Sequence, residues 1–398
     1  MTAHDPHLLP EDLDRALLVG RVWRPQPVDG PAVVAVRGAR LIDITHHAAT
    51  VADLFELPAE QLLSLVSSAD GEDLGEAAGL LRCAADGSAP CNAIRLLAPC
   101  DLQAIKACGV TFAVSLLERV IEEQADGEPA RAQALRVALQ ATLGSDLSGV
   151  KPGSPEAMRL RDELIERGLW SQYMEVGIGP DAEVFTKSQP MSSVGHGDAI
   201  GLLATSHWNN PEPEIVLAVN SRAEVVGATL GNDVNLRDIE GRSALLLGKA
   251  KDNNGSCAIG PFIRLFDAHF TMDTLRACEV RLRIEGEDDG FVLEGGSRMR
   301  EISRDPLDLV AQACGVHHQY PDGFMLFLGT MFSPIQDRDA AGAGFTHHDG
   351  DVVTIATPAL GALVNTVGRS DAIPPWTFGV RALVRNLARR GLLAGPRA

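Results

Sequence analysis

The sequence lacks several features that would have placed it at once. Its seven cysteines (83, 91, 100, 108, 257, 278 and 314) are odd in number and form no C-x-x-C pair. That excludes a disulfide framework and a cysteine zinc site, and fits reduced thiols in a cytoplasmic protein. Positive charge is scarce: 35 Lys and Arg against 53 Asp and Glu leave a formal charge of −18 and a pI near 5.0. Nucleic acid and anionic membrane surfaces both demand basic patches, so neither is expected as a partner. A small anionic substrate is not excluded, because a single site can be locally positive. No apolar run approaches the roughly 20 residues of a membrane span. The acidic opening MTAHDPHLLPEDLDRALL is no signal peptide by pattern. Repeats and low-complexity stretches are missing too. Neither GIGPDAE nor GHGDAIG has G-x-G-x-x-G spacing in a strand-turn-helix setting, no G-x-x-x-x-G-K-[ST] occurs, and NNGSCAIG lacks the spacing of a nucleophile elbow.

What is present is ordinary in bulk: 45% apolar and 22% charged residues over 398 positions. That length fits two or three domains, or one large β domain with an appendage. Residues 31–56 read as short strands and then a helix, within a small N-terminal α/β domain placed at 1–97. From 98 to 398 the pattern is that of a catalytic β-rich domain, with a helical insertion at about 124–170. A helix from about 112 carries Val114, Leu117 and Ile121 on one stripe and Ser115, Glu118 and Glu122 on a polar one. Ser154 and Pro155 mark a helix start and Gly168 its stop, while Asp305, Pro306 and Gly315 bracket another. Asp289-Gly290 centres a hairpin in CEVRLRIEGEDDGFVLEGG. The fold class expected is α+β, with a mixed, mostly antiparallel sheet region.

The stretch NNPEPEIVLAVN holds the chemistry. Glu212 and Glu214 stand two apart at the threshold of a strand, so they point to one face about 7 Å apart. Like charges so placed repel unless a cation lies between them. After the turn SRAE, the return strand VVGATLGNDVNLRD brings Asp233 back beside them. Three carboxylates with few other ligands suit a hard cation that keeps waters, Mg²⁺ first and Mn²⁺ or Ca²⁺ next. E-x-E alone would equally fit a solvated acidic edge. Lys249 and Lys251 follow just downstream, and a lysine beside such a cluster can meet a substrate carboxylate or an enolate oxygen. The adjacent histidine pairs 46/47, 317/318 and 347/348 read as surface or loop residues, and His207 alone lies near the carboxylates in sequence.

Four landmarks in order resemble the fumarylacetoacetate hydrolase superfamily from about residue 98 to 370: KACGVTFAVSLLER, FTKSQPMSSVGHGDAIGL, PEPEIVLAV with GATLGNDVNLRD, and LGTMFSP with DGDVVTIATPALGALVNTV. The resemblance implies a β-roll with the site at one end, in a homodimer or homotetramer. By position it makes Glu212, Glu214 and Asp233 ligands of Mg²⁺, with Mn²⁺ as a substitute. It selects Lys251, six residues before Cys257, as the catalytic lysine, and assigns Lys187 and Thr330 to the substrate's carboxylate or keto oxygen. Where the hydrolases carry a histidine that activates water this chain has Ser115, and Phe112 replaces a tyrosine. Water attack on a carbonyl then lacks a base.

The resemblance is nearest to the branch of sugar-acid dehydratases acting on 2-keto-3-deoxy-pentonates derived from D-xylonate or D-arabinonate. It implies an Mg²⁺-dependent hydro-lyase of pentose catabolism that turns such a small 2-keto acid into 2,5-dioxopentanoate. Glu118 is the expected acid/base group, helped by water on Ser115, with Lys251 as the other candidate base. The alternatives are a C–C hydrolase or oxo-acid decarboxylase, and a non-catalytic binding member.

Overall fold

In the computed structural model, residues 7–88, 93–126, 128–132, 135, 150–166 and 170–393 are described. Gly168, Cys91 and most of the insertion between 133 and 149 lie outside them. Two sheets organise the chain. The larger has 11 strands. In spatial order it runs Glu72–Glu76, Arg40–Asp43, Gly30–Arg37, Leu18–Arg24, Cys257–Leu265, Val225–Asp233, Pro213–Val219, Phe324–Phe327, Ala104–Gly109 and Glu183–Ser188, with Arg95–Leu97 beside Leu18–Arg24. The smaller orders Val292–Arg298, Glu279–Glu285, Val352–Thr357, Gly361–Arg369 and Ala199–Leu202. Most pairings are antiparallel, but Phe324–Phe327 runs parallel to Ala104–Gly109, and Gly361–Arg369 parallel to Ala199–Leu202.

The first hundred residues are continuous with this frame: Leu18 and Val19 pair with Arg264 and Ile263, so the N-terminal strands prolong the large sheet. The expected hairpin forms, with Glu279–Glu285 on Val292–Arg298. Ser154 Oγ accepts the Ala157 N–H and Asp305 accepts that of Leu307, so both expected N-caps are made. No helix among the described residues is long and apolar enough to cross a membrane.

The strand PEIVLAV is buried along its whole length because it lies in the middle of the large sheet. Its alternation splits it between two cores. Ile215, Leu217 and Val219 face the core shared with Val280, Leu282, Ile284, Val353 and Ile355 of the smaller sheet. Val216 and Ala218 face the core under Val51, Leu54, Phe55, Leu62 and Val66. Each large side chain so buried contributes about 1.5–3 kcal/mol of transfer free energy, which fixes the face every residue of this strand presents. A third cluster packs Leu116, Val120 and Ile121 of helix Ala113–Gln124 on Met174 and Ile178 of helix Gln172–Ile178. That helix therefore lies with one face on apolar side chains and its polar face free for the hairpin described next.

Candidate active site

The hairpin keeps one register through its mouth. Glu214 lies opposite Gly231 and Pro213 opposite Asn232. Beyond them the Glu212 carbonyl accepts the Asp233 N–H at 3.0 Å, and Asn210 lies opposite Asn235. One face therefore carries Glu214 over Gly231, then Glu212 over Asp233, then Asn210 over Asn235. Gly231 is required: a Cβ there would come 2.3 Å from Phe327 and 2.5 Å from Val216. The carboxylates of Glu212, Glu214 and Asp233 offer oxygens within 4.8 Å of one another, and all three are buried.

Lysines answer part of this charge. Lys251 Nζ lies 2.6 Å from Glu212 Oε2 and 3.2 Å from Asp233 Oδ2. Lys187, fully buried, lies 2.8 Å from Asp233 Oδ1 and donates to the carbonyls of Lys251 (2.5 Å) and Val234 (3.3 Å). It thus pairs electrostatically with Asp233 and holds the backbone around it. Lys249 is exposed. Glu214 receives no lysine. It accepts the Gly329 N–H at 2.7 Å and lies 3.4 Å from Thr330 Oγ1. Gly329 has φ +102°, and a Cβ on it would strike Thr111 Oγ1 at 2.1 Å, so only glycine presents that N–H.

The electrostatics follow from these partners. Burial works to raise the Glu212 carboxyl, but Arg119 and Lys251 outweigh it and hold it down at about 2. Glu214 is pushed well above the ordinary range by burial and by the like charges of Asp233 and Glu212, against the smaller opposing pull of the Gly329 N–H and of Lys251. Among the described residues no cation pairs directly with Glu214. Hard oxygen donors and convergence within 4.8 Å fit a small divalent cation.

Helix Ala113–Gln124 lies across this face. Arg119 hydrogen-bonds Glu212 and lies 2.6 Å from Glu122 and 3.0 Å from Glu240. Arg237 Nε is 3.1 Å from Glu122 and its guanidinium 5.4 Å from the Trp208 ring. Ser115 and Glu118 share that helix face and are buried. Ser115 Oγ donates to its own helix at Phe112 O (2.9 Å), and Glu118 acts electrostatically on Glu122 and Arg237. Glu183, on the strand that carries Lys187, is raised to about 7, chiefly by burial and then by Glu240.

Sequence reading missed Arg119, Arg237 and Glu240. Helical spacing held the signal for the first, since Arg119 is four residues after Ser115 and three before Glu122. One histidine departs from expectation. His347 is buried and bonded to Asp351 Oδ2 at 2.9 Å, because Asp351 and Arg338 form an interior ion pair that draws it in. His207 is exposed, its backbone N–H bonded to Asp238, and joins no site.

A two-sheet roll with a buried acidic cluster at the mouth of its central hairpin defines the class. Residues 171–368 match the fumarylacetoacetate (FAA) hydrolase C-terminal family, and that half of the chain belongs to it. It is 32% identical over 203 residues to a probable 2-keto-3-deoxyxylonate dehydratase of Haloferax volcanii, covering 51% of this chain and 65% of that one. It is 31% identical over 194 residues to a 2-dehydro-3-deoxy-D-arabinonate dehydratase of Saccharolobus solfataricus, covering 48% and 60%. The match thus spans less than two thirds of either relative. Among solved structures, the apo form of a 2-keto-3-deoxy-D-arabinonate dehydratase superposes with a TM-score of 0.59 at 20% identity, over 88% of this chain and 99% of that one. The same enzyme complexed with magnesium and 2,5-dioxopentanoate gives 0.58 at 22%, with the same coverage. At such identities these structures show the shared fold.

Proposed function

We propose that the protein is an Mg²⁺-dependent dehydratase that converts a 2-keto-3-deoxy-pentonate to 2,5-dioxopentanoate with loss of water. The observation that carries this reading is the buried Glu212–Glu214–Asp233 cluster with Lys251, lying under a helix face that offers Ser115 and Glu118 and no histidine. The names of the two curated relatives, and the magnesium and 2,5-dioxopentanoate in a structural neighbour, support it.

Glu212, Glu214 and Asp233 would hold the ion, which when bound supplies Lewis acidity toward a 2-oxo acid and so acidifies its C3 protons. Lys251 Nζ, a donor to two carboxylates, would stabilise the negative charge that develops on the C2 oxygen. That leaves Glu118 as the group that takes the C3 proton and assists departure of the C4 hydroxyl, with Ser115 beside it. Hydrogen from C3 and hydroxyl from C4 leave as water. Movement of a C5 proton to C3 and of the C5 hydroxyl proton to C4 then gives the aldehyde. Thr330 and Lys187 are the proposed contacts to the substrate head, Lys187 chiefly by holding Asp233. A hydrolase or decarboxylase would need another base. His207, its nearest candidate in sequence, is exposed.

Purified protein with MgCl₂ and 2-keto-3-deoxy-D-xylonate or its arabinonate isomers should yield a semialdehyde trapped by an aldehyde reagent, and EDTA should stop it. No product from any isomer, together with cleavage of an acylpyruvate, would overturn the dehydratase reading. We place the enzyme in the cytoplasm as a homodimer or homotetramer. Light scattering on the eluting protein tests the assembly, and a monomeric mass would refute it.

A further inference from the structure

Below the carboxylates, the same hairpin face carries one more pair of polar residues that the proposed chemistry does not use. Asn210 and Asn235 lie directly opposite each other, in unbroken register with Glu212 and Asp233. Alternation puts them on the carboxylate face, since Val234 and Leu236 on either side of Asn235 both enter the hydrophobic core. Both asparagines are fully buried. Asn210 Nδ2 donates to Pro211 O at 2.9 Å, but its Oδ1 has no hydrogen-bond partner, and neither Oδ1 nor Nδ2 of Asn235 has one. Three unsatisfied amide atoms at adjacent buried positions are costly, at about 1–3 kcal/mol each, and such groups are nearly always partnered.

Contacts on both sides show where this pair looks. Above it, Arg119 of helix Ala113–Gln124 bonds Glu212. Below it, where the register would bring Trp208 opposite Arg237, Arg237 stacks on Trp208 and pairs with Glu122 of the same helix. The asparagine pair is therefore roofed by the helix that carries Ser115 and Glu118. It lies about one pleat, roughly 7 Å, from the carboxylates. That is the reach of a five-carbon oxo acid from its carboxylate and C2 oxygen to its terminal oxygen. A hydroxyl both donates and accepts one hydrogen bond, which matches an amide oxygen beside an amide nitrogen.

We propose that Asn210 and Asn235 form the hydroxyl-reading subsite, binding the terminal hydroxyl of the substrate while the carboxylate cluster holds its 2-oxo acid head. The subsite makes the enzyme select hydroxylated 2-oxo acids over equally long apolar ones. The assignment rests on the dehydratase reading for the direction in which the substrate lies, and its test is chosen to be independent of turnover.

Calorimetric titration in MgCl₂ compares 5-hydroxy-2-oxopentanoate with 2-oxopentanoate, two acids that have no C4 hydroxyl to lose. Wild-type protein should bind the hydroxylated acid about 10- to 100-fold more tightly, as expected for a site whose buried polar groups are otherwise unpaired. In Asn235→Leu the two affinities should agree within about threefold through loss for the hydroxylated acid alone. Asn210→Leu should narrow the ratio in the same direction and serves if the first variant does not fold. Equal affinities in the wild type, no binding of either acid, or an undiminished ratio in both variants would overturn the subsite. So would an equal loss for both acids, which is the mark of a purely structural role. Absence of semialdehyde from the full substrate in the wild type, with the binding ratio intact, would refute the dehydratase reading and leave the subsite standing.

Discussion

Glu214→Gln should weaken the cation site and, in the metal-free protein, strengthen the fold. The carboxylate lies within 4.8 Å of those of Glu212 and Asp233, and no lysine pairs with it. With an effective dielectric near 20, two like charges at that separation repel by about 3 kcal/mol before screening and relaxation. Glutamine keeps the oxygen that accepts the Gly329 N–H, so the backbone of that loop is retained. Removing the charge should therefore leave metal-free protein about 1–2 kcal/mol more stable at pH 7, a rise of a few degrees in Tm. The sign with pH follows. A carboxyl whose pKa is raised on folding penalises the folded state above its unfolded value, so the gain should fade as pH falls through 4.5. Attraction of a divalent ion for the same carboxylate is about twice as large in gross terms, and after desolvation its loss should cost about 10²- to 10³-fold in Mg²⁺ affinity, with turnover abolished. Calorimetry with MgCl₂ and thermal melts in EDTA at pH 7 and pH 4.5 measure both effects. Wild-type Mg²⁺ affinity, or a metal-free Tm lowered at pH 7, would refute the reasoning.

Arg119→Met leaves Glu212, Glu122 and Glu240 buried without their shared cation, and should cost about 3–5 kcal/mol by denaturant melts. Arg119→Lys should recover only part of that, because one ammonium cannot reproduce the fork to three carboxylates. Glu118→Gln should lower kcat by about 10²- to 10⁴-fold while Mg²⁺ affinity stays within threefold, and a wild-type kcat would remove Glu118 from the chemistry. His196 is buried between the carbonyls of Leu81 and Ala362, and burial depresses it to about 4. Only the unfolded chain then takes up its proton as pH falls from 6.5 to 4, which costs the fold up to about 3 kcal/mol across that window. His196→Gln should flatten the loss between pH 7 and pH 4.5 by that amount, and an unchanged slope would contradict it.

Much of the fold was legible because its signals are local. Ser154, Asp305 and the Asp289-Gly290 turn act within a few residues and did what their chemistry implies. The joining of the N-terminal strands to the large sheet was not legible, because the Leu18–Arg264 pairing links residues some 250 apart by backbone bonds that any side chains allow. Buried ions escaped for a related reason. Arg237 and Glu240 lie on a four-residue helix, and only the approach of helix Ala113–Gln124 makes them interior partners. His347 likewise became a core residue through Asp351 and Arg338, whose pairing the sequence does not display.

The carboxylate site was legible for a structural reason that also explains its composition. A hairpin with a two-residue side-chain period and one fixed register turns linear spacing into a flat array, so E-x-E and D-x-N in the sequence become adjacent rows in space. The core-facing residues Ile215, Val234 and Leu236 lock that register, since a slip by one residue would put three carboxylates into the apolar core and three hydrophobes into the site. The same lock holds Asn210 and Asn235 beneath the helix that bears Glu118. The carboxylates and the asparagine pair are thus successive rows of one strand pair, and a single shift of that pair would displace both from the helix that bears Glu118.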